Sequence, residues 1–221
     1  METRKFFNEE LGRLRQDILA MASMVEENLG KALAALRTRS PDLAMEVRAA
    51  DAKVDALQNK IEDNAAMIIA TQQPVARDLR EMVAIFKITS NLERAGDHAV
   101  HLSRAAKKLS KRDDSPFRAQ EHLEKIADIG RVMLRSAVSA YLKQDAGEAR
   151  AAAEMDDKID KEHKALTVNI VKVIKKDPNM VKSALQILHT SGQLERLGDH
   201  ITNICEGVIY MVEGKREELN E

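Results

Sequence analysis

A nine-residue stretch that occurs twice limits this chain more than any other feature. Asn91-Leu92-Glu93-Arg94-Ala95-Gly96-Asp97-His98-Ala99 returns as Gln193-Leu194-Glu195-Arg196-Leu197-Gly198-Asp199-His200-Ile201, with six of nine positions identical at an offset of 102 residues. Each copy carries Glu-x-x-x-Asp, Glu93 with Asp97 and Glu195 with Asp199. On a helix that spacing puts both carboxylates on one face, about one turn apart. Two such acids repel by a few tenths of a kcal/mol in water and by more when buried. A cation between them reverses the sign. Each copy also holds a glycine inside a helical pattern, where it costs about 1 kcal/mol relative to alanine. Something is therefore expected to pack or bind closely beside Gly96 and Gly198.

A second pair of acids repeats as well. Asp51 and Asp55 correspond to Asp156 and Asp160, and Lys53-Val54-Asp55 to Lys158-Ile159-Asp160, at an offset of 105. The second half has thus lost three residues between its two motifs, and the loop before Pro178 is where we place the loss. A self-similar chain of this kind reads as a tandem repeat.

The pattern between the motifs is helical throughout. Leu11, Leu14, Ile18, Met21, Val25, Leu29, Ala32 and Leu36 recur every three or four residues, the stripe of a bundle helix. Six helices are predicted, over 5–38, 41–70, 74–111, 116–143, 146–175 and 178–213. Ser40, Asp145 and Asp177 are expected N-caps, and all four prolines fall at predicted starts. Gly214 is expected to close the last helix. Short connections make sequential helices antiparallel. The predicted fold is all-α: two tandem three-helix bundles, residues 1–113 and 114–221.

Composition excludes several classes. Only 9 Gly, 4 Pro and 3% aromatics are too few for an all-β fold. A net charge of -1 gives no global basic field for nucleic acid. The basic cluster Lys107-Lys108 with Lys111-Arg112 suits a helix end. The one cysteine, Cys205, rules out an internal disulfide and reads as a small core residue. No apolar run reaches about 18 residues and no apolar signal region opens the chain, so a soluble, cytoplasmic protein without membrane insertion is expected. Long, low-aromatic bundles can leave apolar stripes that dimerise, and a homodimer is the expected state.

Antiparallel pairing can bring Asp51 and Asp55 opposite Glu93 and Asp97, and Asp156 and Asp160 opposite Glu195 and Asp199. Four carboxylates at one level suit Mg²⁺, Mn²⁺ or Fe. His101 extends the face of Glu93 and Asp97 at i+8, and its counterpart is Asn203; both are weaker candidates. His98 and His200 follow each Asp, and Arg94 and Arg196 follow each Glu; the arginines are expected to face solvent, with neutralising neighbouring acids the alternative. No nucleophile–base set, phosphate loop or His-Glu-x-x-His is present. A metal-free charged scaffold, and a carboxylate-bridged metal enzyme acting as oxidase or phosphohydrolase, are the alternatives to a binding role.

Gln73-Pro74-Val75-Ala76-Arg77-Asp78-Leu79-Arg80, followed by Leu92-Glu93-Arg94-Ala95-Gly96-Asp97-His98, is similar to the first-repeat signature of the PhoU family. Leu194-Glu195-Arg196-Leu197-Gly198-Asp199-His200 with Asn203-Ile204 resembles the second. The likeness covers nearly the whole chain. It implies paired three-helix bundles whose acidic motifs bind metal clusters, iron or zinc in some members, and a non-enzymatic role. Members of that family act in the cytoplasm as negative regulators when phosphate is plentiful. They connect the ATPase subunit PstB of the Pst phosphate transporter to the sensor histidine kinase PhoR, so any membrane association runs through partners. By position, the implied metal residues are Asp51, Asp55, Glu93 and Asp97, and Asp156, Asp160, Glu195 and Asp199. The halves differ where His101-Leu102 stands for Asn203-Ile204 and Arg104 for Glu206.

Overall fold

The computed structural model describes residues 2–109 and 117–219. Seven α-helices fill them: α1 Glu2–Thr38, α2 Pro41–Gln72, α3 Ala76–Leu109, α4 Ala119–Lys143, α5 Ala146–Ala153, α6 Asp156–Lys176 and α7 Val181–Glu213. A single 3₁₀ turn, Pro178–Met180, precedes α7. Among the described residues there is no strand, and no helix is long and apolar enough to cross a membrane. The first three helices pack on one another, and α4 to α7 form the second bundle. The bundles lie side by side, joined chiefly by α3 against α7 and also by α1 against α4.

The predicted stripe of α1 is its core face: Ile18, Met21, Val25, Leu29 and Ala32 are fully buried. In α4 an apolar stripe runs from Leu123 to Tyr141, and Leu142 beyond it is 38% exposed. The expected caps form. Ser40 accepts from the Leu43 N–H with Pro41 at the first helical position, Asp145 accepts from Glu148, and Asp177 from Asn179. Gly214 ends α7 in the left-handed region at φ 75°. Cys205 is fully buried, which pushes its thiol up to about 12.

Two boundaries differ from expectation. Pro74 does not start α3; Gln73 turns left-handed to cap α2, donating to the Ile69 carbonyl at 3.1 Å, and the helix begins at Ala76. Proline keeps its predecessor out of the right-handed helical region, so α2 has to stop there. The predicted helix 146–175 is broken at Glu154–Met155, where the chain tightens into i→i−3 bonding, Met155 N–H to Ala152 at 3.1 Å. That break puts Asp156 and Asp157 in the first turn of α6, where the helix dipole favours acids. The predicted breaker at Asp113–Pro116, the boundary between residues 113 and 114, and Lys111-Arg112 lie outside the described residues.

Two of the three lost residues fall in the expected loop, and the third shortens the helix before it, which ends 16 residues past Asp160 where α2 ends 17 past Asp55. Glu93 lies as far from Ala76 as Glu195 does from Pro178, while the link of residues 73–75 shrinks to Asp177 alone. A polar tie holds α1 to α3 inside the first bundle: Arg15 on α1 donates to both Glu81 oxygens on α3 at 2.8 and 2.9 Å, and Glu81 is 3% exposed. Gln144, just past α4, donates to the same carboxylate at 3.4 Å.

Candidate metal centre

The antiparallel pairs α2/α3 and α6/α7 bring the eight predicted acids together as two groups of four. In the first, Asp51, Glu93 and Asp97 are half-buried and Asp55 is exposed. Asp51 is held above the usual carboxylate range by burial, then by the charges of Asp55 and Asp97, while Arg104 pulls the other way. Burial raises Glu93 too, helped by Asp97, Asp55 and Asp51 and opposed by Arg94. In the second group, Asp156 is pushed up to about 7 by burial first, then by Asp199, Asp160 and Glu195. Glu195 and Asp199 are raised by burial, with Asp199 and Asp160 respectively as the next cause. Mutual perturbation of this kind is what convergence of like charges produces.

The motif glycines make the convergence possible. A Cβ on Gly198 would intrude on Asp156 Oδ1 and lie 3.1 Å from Ile159 Cδ1. One on Gly96 would lie 3.6 Å from Val54 and 3.8 Å from Asp51 Oδ1, which is ordinary contact. So the acid of the neighbouring helix occupies the space beside each glycine, tightly in the second half and loosely in the first.

The groups are not equivalent. Arg94 is exposed as expected and also reaches back to Glu93 at 3.5 Å and Asp97 at 3.3 Å. With Arg104 it supplies positive charge to the first group. The second group opens on a cavity of about 410 Å³ lined by its four acids and also by Arg150 and Glu217. Arg150 is spent on Glu213 and Glu217, at 2.8 and 2.7 Å. Inside the group Asp156 Oδ2 accepts from Thr202 at 3.4 Å, while Oδ1 is buried without a hydrogen-bond partner.

The motif histidines and His101 serve the seam between the bundles, while Asn203 bonds back within its own helix. Gln193 Oε1 lies 3.1 Å from His98 Nδ1 and 2.7 Å from His101 Nδ1. Reciprocally, Asn91 Oδ1 lies 2.9 Å from His200 Nδ1. An amide oxygen only accepts, so each ring donates through Nδ1. His98 and His200 stack with centroids 5.3 Å apart. Burial, then the neighbouring rings of His200 and His101, lowers His98 to about 4, so it is neutral near pH 7. Asn203 donates to the Asp199 carbonyl at 3.1 Å. The first residue of each motif thus holds the histidine of the other. Nothing in the local pattern announces this pairing, because it exists only once α3 meets α7. Sequence reading also passed over His163, at i+3 from Asp160, whose Nδ1 lies 2.8 Å from Ser191 Oγ.

Among the described residues no three or more His, Cys, Asp or Glu side chains are already gathered to hold a metal ion. The donor chemistry nevertheless fits a hard or borderline cation. Asp156 Oδ1 is an orphaned buried acceptor, Gly198 leaves room for that carboxylate, and the neighbouring acids raise one another's affinity for any positive charge.

A family model described as PhoU domain matches residues 18–106 and 123–208. The chain is 36% identical to the phosphate-specific transport system accessory protein PhoU homolog of Pseudomonas putida, over 94% of this chain and 81% of that one. It is 32% identical to the PhoU homolog of Clostridium acetobutylicum, over 99% and 100%. The crystal structure of PhoU from Pseudomonas aeruginosa superposes with a TM-score of 0.89 at 34% identity, over 95% of this chain and 100% of that one. The phosphate transport system regulatory protein PhoU from Streptococcus pneumoniae gives 0.86 at 30%, over 96% and 99%.

Proposed function

The chain belongs to the PhoU family, and from that premise we propose that it acts in the cytoplasm as a negative regulator of phosphate uptake and of the phosphate-starvation response. It couples the ATPase subunit PstB of the Pst transporter to the sensor kinase PhoR. Whole-length likeness to proteins named as accessory and regulatory components of phosphate transport carries this reading. Those relatives are accessory proteins, and the chain is not an enzyme.

In this reading Asp51, Asp55, Glu93 and Asp97 hold one cation and Asp156, Asp160, Glu195 and Asp199 another, drawn from Fe, Zn, Mn or Mg. The ion supplies positive charge that offsets carboxylate repulsion. The chain's own residues do the rest: α2 is tied to α3 and α6 to α7, each at the level of its motif glycine. Exposed apolar side chains such as Met67, Val75 and Leu185 offer surfaces for partners or for a second copy in a homodimer.

Co-purification tests the partner reading. The tagged full chain should retain PstB and PhoR, with and without added metal and phosphate. Retention of neither under any of these conditions would remove it.

A further inference from the structure

Asp156, Asp160 and His163 stand at i, i+4 and i+7 on α6, one stripe along the face that meets α7. Across from them on α7, Ser191, Glu195, Asp199 and Thr202 form the matching stripe. The rungs are visible. Thr202 bonds Asp156, and Ser191 Oγ lies 2.8 Å from His163 Nδ1. Between them, Glu195 feels the charge of Asp199, His163 and Asp160. His163 is half-buried and Ser191 fully buried. With Nδ1 engaged by a hydroxyl fixed in the core, Nε2 is the nitrogen left to act. An oriented imidazole of this kind is what a metal-binding histidine needs, since its other nitrogen is almost always held by a partner.

The first half lacks this arrangement. Gln58 stands where His163 does and donates to Glu62 at 2.9 Å. Thr89 stands where Ser191 does; its hydroxyl bonds the Ile85 carbonyl at 2.9 Å and Glu62 at 3.3 Å. Gln58 and Thr89 are both taken up by Glu62, and the imidazole on the Asp97 face, His101, is drawn to Gln193 in the seam. Carboxylates by themselves suit Mg²⁺, Ca²⁺ or Mn²⁺, whereas an added imidazole shifts preference toward Zn²⁺ and Fe²⁺.

We propose that His163 is a nitrogen ligand of the second acid group, oriented by Ser191, and that it makes this group select a borderline cation such as Zn²⁺ over a hard one such as Mg²⁺. This rests on the reading of the acid groups as cation sites.

The test uses the full chain carrying Asp51→Asn and Asp97→Asn, so that only the second group titrates. Zn²⁺ and Mg²⁺ are titrated calorimetrically into this protein and into its His163→Gln and Ser191→Ala derivatives. The histidine ring nitrogens are followed by long-range ¹H–¹⁵N correlation. His163→Gln installs the residue the first half uses at this position, and circular dichroism checks that it folds. Zn²⁺ affinity should fall about tenfold or more in His163→Gln and also fall in Ser191→Ala. Mg²⁺ affinity should stay within about threefold, and the His163 Nε2 resonance should move on adding Zn²⁺. If Zn²⁺ binding is lost in Asp156→Asn but unchanged in His163→Gln, with the ring resonance unmoved, the inference fails while the cation reading stands. If the parent protein takes up neither ion, both fail.

Discussion

Replacing each motif glycine by alanine probes how closely the acids approach, and the two halves should answer differently. Alanine in a helix interior gains about 1 kcal/mol over glycine. At Gly96 the new methyl meets Val54 at 3.6 Å and Val25 at 3.7 Å, so most of that gain should survive. At Gly198 it runs into Asp156 Oδ1 and comes within 3.1 Å of Asp156 Cγ and Ile159 Cδ1. Neither neighbour is free to leave, because Asp156 is tied to Thr202 and Ile159 is fully buried. Overpacking of this kind costs about 1–3 kcal/mol, which cancels or outweighs the propensity gain. Gly198→Ala should therefore lie about 1–3 kcal/mol below Gly96→Ala, a gap in Tm of about 2–12 °C for a chain of this size. Urea unfolding followed by circular dichroism on chelator-treated protein measures it. Adding Asp156→Ala to Gly198→Ala should recover the difference. Equal stability of the two glycine variants would show that Asp156 does not occupy the space beside Gly198.

Acidity should act on the same group. Asp156 titrates near 7 in the folded chain against 3.8 unfolded, so its stabilising contribution is complete below 3.8 and lost as pH rises through about 7. Without metal, urea midpoints should fall across that window, and Asp156→Asn should flatten the fall. Arg15→Met leaves the Glu81 carboxylate buried without its bidentate partner and should lose about 3 kcal/mol, roughly 6–12 °C in Tm, by calorimetry. Gln193→Leu strips the shared acceptor from His98 and His101. It should cost about 1–3 kcal/mol, and hydrogen exchange should show the α3/α7 seam loosening before the rest.

What the sequence made legible was whatever depends on neighbours along the chain. The stripe of α1, the caps at Ser40, Asp145 and Asp177, and the stop at Gly214 are each set within about one turn of helix. The pairing of the eight acids was legible for a different reason, because a duplicated pattern supplies an internal comparison. The break between α5 and α6 was not, since no Gly or Pro marks it. Arg150, four residues earlier, is held by Glu213 and Glu217, far along the chain. The side-by-side arrangement was equally hidden. It depends on α3 meeting α7, where a Cβ on Gly207 would lie 3.3 Å from Ile88, and on the crossed histidine pairs. Arg94 does both things its position allows: it stays exposed, and its long side chain folds back to two acids on its own helix.

Metal content of protein purified without chelator, by elemental analysis, reaches most directly the claim that opposed acids are reconciled by a bound cation. Wild type should carry bound metal, Asp97→Asn and Asp199→Asn should each lose part of it, and the double variant should carry none. Metal retained in full by the double variant, or absent from the wild type even after loading with Zn²⁺ and Mn²⁺, would contradict that claim.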